Sequence, residues 1–437
     1  MKIKSLKFFL ILLTTIFLLF IVSIKINLFN LNEYYFHNLP SKAKLIIRNI
    51  KKNSQAGHSL FHITNNLFND YNAKFLPETQ LINLNYVSKK IKFDDSFQTT
   101  TDKFEYITKM ADNTQTHFLS FFIDIYQNDL ILADYIGNIY LLDFNELQND
   151  KKKIIPTKIN SNLETNKILD ILIINEELYI SFANKKKDNC YNWNISKAKI
   201  NKKKLNFTNI FSSVECSPQN YYQPHGGRMQ SYKYDNSDGI LFTIGANTPN
   251  KNNDNSIIGK ILFIPLDTLE VIEFSKGHRN TQGLIVHNNI ILSTEHGPRG
   301  SDEINKIEYN KDYGWPYASY GEPYGDKKKE PVFYKEHDKY GFQEPLFVFS
   351  KAVGISELIY LPNNFSDFWN NNFLISSLWG QSIYRTKFDD NFRKVLFLEK
   401  IYIGQRIRDL KYHNKLNAIL LVLEETGEIA IITNKKK

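Results

Sequence analysis

Cysteine is nearly absent from this chain of 437 residues, which contains Cys190 and Cys216 alone. Two thiols are too few for a small disulfide-stabilised scaffold, and without histidines at ligand spacing nearby they do not predict a metal site. The segment between them has two strand-like runs that could fold back as a hairpin and bring its ends together. We therefore expect one disulfide in an oxidising compartment, with two buried free thiols as the alternative.

Long apolar runs are also missing, with one exception at the N-terminus. Lys2, Lys4 and Lys7 precede an uncharged apolar run over residues 8–24, which lies at the lower length limit of a membrane-spanning helix. No small-residue cleavage motif follows, so residues 1–25 are predicted to be an uncleaved signal anchor, with a cleaved signal peptide as the alternative. Because the positive flank stays in the cytoplasm, we expect the bulk of the chain on the extracytoplasmic, periplasmic side of the membrane.

Long helical periodicity is scarce after residue 110, where short apolar runs alternate with turns. Examples are "NDLILADYIGNIYLLDF", "KILDILIINEELYISFA" and "GLIVHNNIILSTEHG". Many such hairpins in succession predict an all-β architecture, and repeated meanders favour a β-propeller over residues 111–437. A pair of β-sandwiches is the alternative, although no linker divides the region. Residues 26–110, rich in Asn and Lys, are predicted to be a membrane-proximal segment with the first strands.

Arginine is scarce in a chain that is otherwise strongly basic. Only eight of the 55 basic residues are arginines, and the formal net charge is +9. The lysines are scattered or lie in short runs typical of loop tips, so the charge does not predict nucleic-acid binding. In so lysine-rich a chain, arginine marks positions where a planar fork of donors binds a carboxylate or a phosphate.

Arg406 and Arg408 form the most informative arginine pair. They lie two residues apart in "GQRIRDL" on a predicted strand, which places both on one face with Ile407 on the other. Two adjacent guanidinium groups repel each other unless an anion or a carboxylate lies between them. The pair therefore predicts an anion-binding site, with a pair of internal salt bridges as the alternative.

Two further segments carry side chains suited to chemistry. In "PHGGRM", His225 precedes two glycines that let the backbone approach a ligand closely, and a histidine there could act as a general base. In "EHGPRGSDEIN", Glu295, Asp302 and Glu303 surround a Gly-Pro turn, and carboxylates with turn carbonyls are the oxygen ligands that calcium binds. The alternatives are an ordinary glycine loop and a solvent-exposed acidic turn.

These segments occur together in the order and spacing of a known family. "HGGR", "TIG", "GKIL", "GHRNTQGL", "EHGPRGSDEIN", "YGWPYASYG" and "RIRD" resemble the pyrroloquinoline quinone (PQQ)-dependent sugar dehydrogenases, or glucose/sorbosone dehydrogenase family, over about residues 115–435. The resemblance implies a six-bladed β-propeller with the quinone at the mouth of its central channel. It also implies oxidation of an aldose sugar or a related alcohol by hydride transfer to the quinone, followed by electron transfer to an unidentified acceptor.

The resemblance further implies a role for individual residues at the quinone. His225 would be the general base that removes the proton of the sugar's anomeric hydroxyl group. Arg279 and Asn280 would contact the cofactor. Arg406 and Arg408 would hold its carboxylates, which agrees with the anion site that their spacing predicts.

Calcium is implied at two places by the same resemblance. Gly297 and Pro298 would offer backbone carbonyl oxygens to a Ca²⁺ ion beneath the cofactor. Glu303 and Tyr313 match positions that hold a second, structural Ca²⁺ ion in some members of the family.

Three segments depart from the family pattern, one of which is "AVGISEL", residues 352–358, where the usual proline is missing. Ala246 stands where members usually have the aspartate of "TIGD", so His225 lacks a carboxylate that would orient it and raise its basicity. The segment "SSLWGQS" contains Trp379 and no cofactor-contacting lysine. These departures leave open a catalytically degenerate propeller that binds a sugar or a protein. A calcium-dependent hydrolase or lactonase on a similar propeller would not need the arginine pair.

Overall fold

The structure is a computed structural model that describes residues 84–92, 120–149, 153–186, 190–218, 225–246, 256–323, 333–366, 369 and 371–434. The chain divides into two compact units, and all described residues belong to the second, which comprises Asp70–Thr101 and His117–Lys437. The predicted signal anchor lies outside the described residues. Among the residues that are described, no helix is long and apolar enough to cross a membrane.

Almost all regular structure in the described chain is β-strand. The first strands are β1 (Leu84–Ile91), β2 (Phe121–Tyr126), β3 (Asp129–Asp134), β4 (Ile139–Asp143), β5 (Lys153–Ile154), β6 (Thr157–Ser161), β7 (Lys167–Ile174), β8 (Glu177–Lys185), β9 (Cys190–Lys199), β10 (Lys204–Leu205), β11 (Thr208–Pro218), β12 (Gly226–Tyr234), β13 (Ser237–Ile244) and β14 (Lys260–Pro265). The others are β15 (Ile272–Lys276), β16 (Thr281–His287), β17 (Ile290–Glu295), β18 (Glu303–Ile307), β19 (Lys311–Asp312), β20 (Phe347–Val348), β21 (Ile355–Leu361), β22 (Asn372–Ser377), β23 (Ser382–Phe388), β24 (Val395–Tyr402), β25 (Ile407–His413), β26 (Ala418–Leu423) and β27 (Glu428–Asn434). One short helix, α1 (Phe144–Gln148), follows β4 and is capped by Asp143, and two 3-10 turns span His337–Tyr340 and Asn414–Leu416.

The strands form six sheets, the blades of a propeller. From the inner strand outwards, blade one is β2-β3-β4-β6-β10, blade two is β7-β8-β9-β11, and blade three is β12-β13-β14-β15-β19. Blade four is β16-β17-β18-β20, blade five is β21-β22-β23-β24, and blade six is β25-β26-β27-β1-β5. The inner strands β2, β7, β12, β16, β21 and β25 contact their neighbours in a closed ring. The predicted all-β, six-bladed propeller is therefore confirmed.

The hydrophobic core lies between adjacent blades. Each of six clusters of buried apolar residues joins two neighbouring sheets, as between blades six and one, where Phe121 and Ile123 meet Leu420 and Val422. Because both faces of a blade are covered in this way, the middle strands are buried along their whole length. This explains why the sequence of β26, "AILLVL", is continuously apolar rather than alternating.

Blade six is completed by a strand from the N-terminal side of the chain. Strand β1 pairs antiparallel with β27, with Leu84 opposite Asn434 and Lys90 opposite Glu428. The ring thus closes by pairing chain segments that are far apart in sequence. Strand β1 lies within residues 26–110, the segment in which the sequence predicts the first strands.

The predicted disulfide is confirmed. Cys190 and Cys216 are bonded, with their Cα atoms 5.6 Å apart. They lie on β9 and β11, which pair antiparallel as the expected hairpin of blade two, and Cys190 stands opposite Pro218. No free cysteine remains in this sequence of two.

Acidic residues on the inner strands connect neighbouring blades around the axis. Their carboxylates accept hydrogen bonds from backbone N–H groups of the next inner strand: Asp124 from Ile173 (2.7 Å), Asp170 from Met229 (2.8 Å) and Asp409 from Ile123 (2.9 Å). A buried carboxylate is tolerated when such donors satisfy it. These bonds hold neighbouring inner strands in a defined arrangement.

Arg228 of the "HGGR" segment occupies the centre of this region. Its Nη1 atom lies 3.1 Å from Asp170, 2.9 Å from Glu357 and 3.5 Å from Asp409. The side chain of Arg228 is only 2% exposed. We refer to these four residues, which come from four different inner strands, as the axial cluster.

Candidate active site

The predicted site segments meet at one end of the propeller, where the inner strands begin. The residues at these beginnings are Ser120 before β2, Lys167 at the start of β7, His225 before β12, Asn280 before β16, Gly354 before β21 and Arg406 before β25. We call this end the mouth. Each second strand ends there too, because it pairs antiparallel with the first, as Thr281 does with Glu295 and Ile407 with Leu423. The topology thus assembles residues that are far apart in sequence.

His225 is held through its backbone and not through its outer ring nitrogen. Its carbonyl oxygen accepts hydrogen bonds from Nε1 of Trp193 (2.9 Å) and from the N–H of Gly245 (3.1 Å). The residue is half-buried, and its Nε2 atom is buried without a hydrogen-bond partner among the described residues. An unsatisfied buried nitrogen is costly, so this atom is suited to a partner that the protein itself does not supply.

The surroundings of His225 favour the neutral imidazole. Burial lowers the pKa of His225 well below its usual value, and the positive charges of Arg279 and Lys167 act in the same direction. Ala246 presents only a buried methyl group, which packs with Trp315. No carboxylate stands at that position to raise the basicity of His225, as the departure from the family pattern predicts.

Asn280 connects the His225 segment to blade four. Its Oδ1 atom accepts hydrogen bonds from the N–H of Gly226 (3.1 Å) and from Nε2 of Gln282 (2.9 Å). Its Nδ2 atom lies 3.3 Å from Nδ1 of His296. Gly226 has a φ of +74°, and a Cβ atom there would lie 2.7 Å from the carbonyl oxygen of Thr243. Glycine is therefore required for this close approach.

Arg279 is packed into the wall of the mouth. Its N–H donates to a carboxylate oxygen of Glu295 (2.5 Å), and its Nη1 atom donates to the carbonyl oxygen of His296 (2.9 Å). Its guanidinium carbon lies 5.4 Å from the ring centre of Trp315. With 6% of its surface exposed, Arg279 contributes positive charge to the mouth from a fixed position.

Arg406 and Arg408 share one carboxylate. Nε of Arg406 donates to Oε1 of Glu424 (2.5 Å), and Nε of Arg408 donates to Oε2 (2.7 Å). Ser120 also donates to Oε2 (2.8 Å), and Ile407 is fully buried on the opposite face. Although burial alone would raise it, the two guanidinium groups lower the pKa of Glu424 to about 2.

The sequence left internal salt bridges as the alternative to an anion site at Arg406 and Arg408. The Nε atoms of both arginines do form such salt bridges, with Glu424. One carboxylate nevertheless balances only one of two guanidinium charges. The side chains of Arg406 and Arg408 also remain 20% and 19% exposed, whereas Glu424 is fully buried behind them. The arrangement orients both arginines toward the mouth.

The turn after β17 is rich in carbonyl oxygens. The N–H of Gly297 donates to Asp302 (3.1 Å), while the carbonyl oxygens of Gly297 and Pro298 accept no hydrogen bond from the residues that the structure describes. A Cβ atom at Gly297 would lie 2.2 Å from the carbonyl oxygen of Gly300 and 2.3 Å from that of Ser301. Such a compact turn with uncommitted carbonyls has the donor type that calcium binds.

Glu303 and Tyr313 have different surroundings. Glu303 stands opposite Glu295 on the neighbouring strand, and burial together with the charge of Glu295 raises the pKa of Glu303 well above its usual value. The hydroxyl group of Tyr313 donates to the carbonyl oxygen of Lys306 (2.5 Å) and accepts from the N–H of Glu308 (2.9 Å). The described residues contain no group of three or more His, Cys, Asp or Glu side chains that could hold a metal ion. A calcium ion at this pair remains a prediction.

Trp379 lies at the rim of the mouth. Its side chain is 70% exposed, and a Cβ atom at Gly354 would lie 3.3 Å from the Cβ atom of Trp379. Asp302 accepts a hydrogen bond from the N–H of Gly354 (2.6 Å), which connects this part of the rim to the turn after β17. An exposed indole at this place is suited to stacking against a ligand.

Several residues at the mouth were not predicted individually. Gln282 and His296 lie inside the "GHRNTQGL" and "EHGP" segments, which carry the family resemblance, so their neighbourhood was identified. Glu424 and Lys167 lie in runs that predict only hairpins. The available signal for Glu424 is a carboxylate directly after the apolar run "AILLVL", because a charge at the end of a buried strand needs a partner.

A family model described as glucose/sorbosone dehydrogenase matches residues 173–432. The chain is 29% identical to an aldose sugar dehydrogenase of Escherichia coli over 160 residues, which cover 36% of this chain and 42% of that protein. It is 28% identical to an uncharacterised protein of Synechocystis over 158 residues, 36% of this chain and 37% of that protein. The matched segment thus spans about two-fifths of the length of these curated relatives.

Solved structures share the fold. The soluble aldose sugar dehydrogenase of Escherichia coli in its apo form superposes with a TM-score of 0.60 at 19% identity, over 73% of this chain and 96% of that chain. The PQQ-bound form of an aldose sugar dehydrogenase from Streptomyces coelicolor gives a TM-score of 0.53 at 16% identity, over 72% and 94% of the two chains. At such identities the likeness concerns the architecture.

Proposed function

Because the chain belongs to the glucose/sorbosone dehydrogenase family, we propose that it is a PQQ-dependent oxidoreductase that oxidises an aldose sugar or a related alcohol. The observation that carries the proposal is the arrangement at the mouth. There, a buried His225 nitrogen that has no partner among the described residues lies in the same ring of strand beginnings as a pair of partly exposed arginines. A base beside an anion site is the combination that this chemistry needs.

The residues at the mouth fit an anionic, planar cofactor. Arg406 and Arg408 are held in place by Glu424 through their Nε atoms, and guanidinium groups bind carboxylates strongly because of their matching geometry. Arg279 adds a third positive charge, and Asn280 fixes the neighbouring backbone. A bound PQQ would supply the carbonyl group that accepts the hydride from the sugar.

His225 would take the proton of the reacting hydroxyl group. Its lowered pKa keeps the imidazole neutral at pH 7, which is the form that accepts a proton. Without a carboxylate at position 246, the imidazolium is stabilised less than in a His–Asp pair. The proton would therefore be released readily after each turnover, while proton abstraction would have a smaller driving force.

Calcium would bind at the turn after β17. The carbonyl oxygens of Gly297 and Pro298 and their compact surroundings support this assignment. An ion there would add positive charge beneath the ligand without any change in the protonation of a side chain. Removal of calcium with a chelator should accordingly weaken binding of the quinone.

The compartment is part of the proposal. An N-terminal anchor over residues 1–25 would keep the propeller at the membrane on its extracytoplasmic side, where an acceptor takes the electrons. The bonded pair Cys190–Cys216 supports an oxidising compartment. The location can be tested with a reporter that is fused to the C-terminus and is active only in the cytoplasm. A signal from this reporter would contradict the extracytoplasmic location.

The test is a dye-linked oxidation assay of the protein reconstituted with PQQ and Ca²⁺ on a panel of aldoses. We expect turnover by the wild type, and we expect His225→Ala to lower kcat about a hundredfold or more while quinone affinity stays nearly unchanged. His287→Ala is the control, because His287 lies at the opposite end of β16. The control variant should keep wild-type kcat.

A second candidate function is a binding module without turnover. It is favoured by Ala246, which leaves His225 without a carboxylate partner, and by Glu424, which already engages both arginines. A wild type that binds the quinone with saturation but oxidises none of the aldoses would support this candidate. The binding module would then replace the oxidoreductase as the proposed function.

A further inference from the structure

Lys167 is a positive side chain at the mouth that the proposed function does not use. It begins inner strand β7, where it stands opposite Ala183, and so lies at the same end of the ring as His225. Its Nζ atom lies 5.4 Å from the ring centre of Tyr135. Within the described part of the chain, Nζ forms no ion pair and no hydrogen bond.

The position of Lys167 in the ring brings it near the arginine pair. Strands β7 and β25 both flank inner strand β2, so Lys167 and Arg408 begin the two strands on either side of it. The charged and titratable groups that face Lys167 are Arg408 from β25, Glu424 from the end of β26, His225 from the start of β12, and Tyr135 from the turn after β3.

Lys167 has no committed counter-ion in this environment. Burial and, to a smaller extent, the charge of Arg408 together lower its pKa to about 7, although the charge of Glu424 opposes them. Glu424 is already engaged by both arginines. A half-buried amine without an ion pair is costly unless a ligand supplies the missing charge.

We propose that Lys167 is an additional ligand-binding residue, whose ammonium group pairs with a carboxylate of the anionic quinone that Arg406 and Arg408 hold. The proposal rests on the proposed function for the class of the ligand, a carboxylated quinone. It assigns to blade two a contact with the ligand that none of the predicted site residues provides. Lys167 would approach the ligand from the side of β2 opposite to the arginine pair.

The proposal has a consequence for protons. A carboxylate beside Lys167 favours the charged amine and raises its pKa above the value of about 7 in the free protein. Between these two values the free protein lacks a proton that the complex carries, so binding takes up a proton. Glu424 stays ionised and His225 stays neutral in this range, since their pKa values are lowered. Affinity should therefore decrease as the pH rises above about 7.

The experiment is isothermal titration calorimetry of the full-length protein with PQQ in the presence of Ca²⁺. Titrations at pH 8 in two buffers of different ionisation enthalpy measure the protons taken up. The variants are Lys167→Met, which removes the charge, and Lys167→Arg, which keeps it at every pH. Lys199→Met is the matched control, because Lys199 is exposed and stands opposite Glu177 in the strand register, at the opposite end of the same blade.

We expect the wild type to take up close to one proton on binding at pH 8. Lys167→Met should bind about tenfold or more weakly, the effect of one charge-assisted hydrogen bond, and should lose this proton uptake. Lys167→Arg should bind within a few-fold of the wild type with no such uptake and with affinity that does not fall above pH 7. Lys199→Met should match the wild type in both quantities.

Each other result would overturn the proposal in an identifiable way. Wild-type affinity and unchanged proton uptake in Lys167→Met would remove Lys167 from the site and leave the proposed function intact. Failure of a folded Lys167→Arg variant to bind would show that the position matters for packing rather than for charge. A wild type that does not bind the quinone at all would overturn both this inference and the proposed function.

Discussion

Arg228 and Arg408 are joined by a hydrogen bond, from Nη2 of Arg228 to the carbonyl oxygen of Arg408 (3.1 Å), yet their surroundings differ in kind. Arg228 lies in the axial cluster, where three carboxylates surround its guanidinium group and its side chain is 2% exposed. Arg408 lies at the mouth, where it shares the single carboxylate of Glu424 with Arg406 and remains 19% exposed. One arginine is enclosed and the other is accessible.

The difference teaches where an anion can bind. Around Arg228 the carboxylates outnumber the guanidinium group, so a further anion would be repelled from the axis. At the mouth, within the described residues, the side chains of Arg406, Arg408 and Lys167 are grouped around the carboxylate of Glu424. The two neighbouring arginines thus have different roles. Arg228 joins the inner strands, and Arg408 is available to a ligand.

The largest effect should follow from removing the enclosed arginine. Arg228→Met would leave Asp170, Glu357 and Asp409 buried without their main counter-ion, and loss of one partner of a buried ion pair typically costs about 3–5 kcal/mol. Urea unfolding followed by tryptophan fluorescence at pH 7 measures this change in the free energy of unfolding. Arg393→Met is the control, because that arginine is 73% exposed in its pair with Asp389.

For the exposed control we expect a change below about 1 kcal/mol. If Arg228→Met also changed the free energy of unfolding by less than about 1 kcal/mol, Arg228 would not stabilise the fold through the axial cluster. The comparison between the two arginines would then lose its basis.

Removal of the accessible arginine should act on binding more than on folding. Arg408→Ala should weaken PQQ binding by about 1.5–3 kcal/mol, the range for a hydrogen bond to a charged group. Its unfolding free energy should change less than that of Arg228→Met, because Glu424 keeps Arg406 as a partner. Absorbance titration with PQQ and Ca²⁺ measures the affinity.

Arg408→Lys sharpens this prediction. An ammonium group cannot reproduce the two-pronged geometry of a guanidinium group, so affinity should recover only in part. Wild-type affinity in Arg408→Ala would mean that the arginine pair serves only its internal salt bridges with Glu424.

The smallest effect should be on how the free energy of unfolding depends on pH. The carboxyl groups of the axial cluster and of the mouth should change it in different pH ranges. Burial raises the pKa of Glu357 in the axial cluster to about 7, although Arg228 and Lys411 oppose it. The native state then binds more protons than the unfolded state between about pH 4.5 and 7, so stability falls as the pH rises through this window. The pKa of Glu424 is lowered to about 2, so its contribution is lost as the pH falls below about 4.5.

Urea unfolding at a series of pH values separates the two carboxyl groups. Glu357→Gln should flatten the dependence between about pH 4.5 and 7, and Glu424→Gln should flatten it below about pH 4.5, each by about 1.4 kcal/mol per pH unit at most. Equal effects of both variants in the same window would contradict the opposite directions of the two pKa shifts.

The local parts of the fold were predictable from the sequence. Runs such as "NDLILADYIGNIYLLDF" place two apolar strands around a turn, and they form the hairpin of β3 and β4. The pairing of β1 with β27 was not predictable, because it joins residues more than three hundred positions apart and periodicity carries no information on such partners. The number of blades came from the family resemblance.

The site shows the same division between local and distant contacts. The common face of Arg406 and Arg408 was predicted correctly, because it depends only on the alternation of side chains along a strand. Their partner Glu424 and the neighbouring Lys167 were missed. Lys167 lies some 240 residues before Arg408, and only the ring of inner strands brings them to one mouth.

The most direct test of the central claim, that the mouth binds a carboxylated quinone, is an absorbance titration of the purified full-length protein with PQQ in the presence of Ca²⁺. We predict saturable binding at one site, which weakens when calcium is removed by a chelator. Binding that does not saturate, with calcium present and the protein folded, would contradict the claim. Arg406 and Arg408 would then be part of the scaffold, like Arg228.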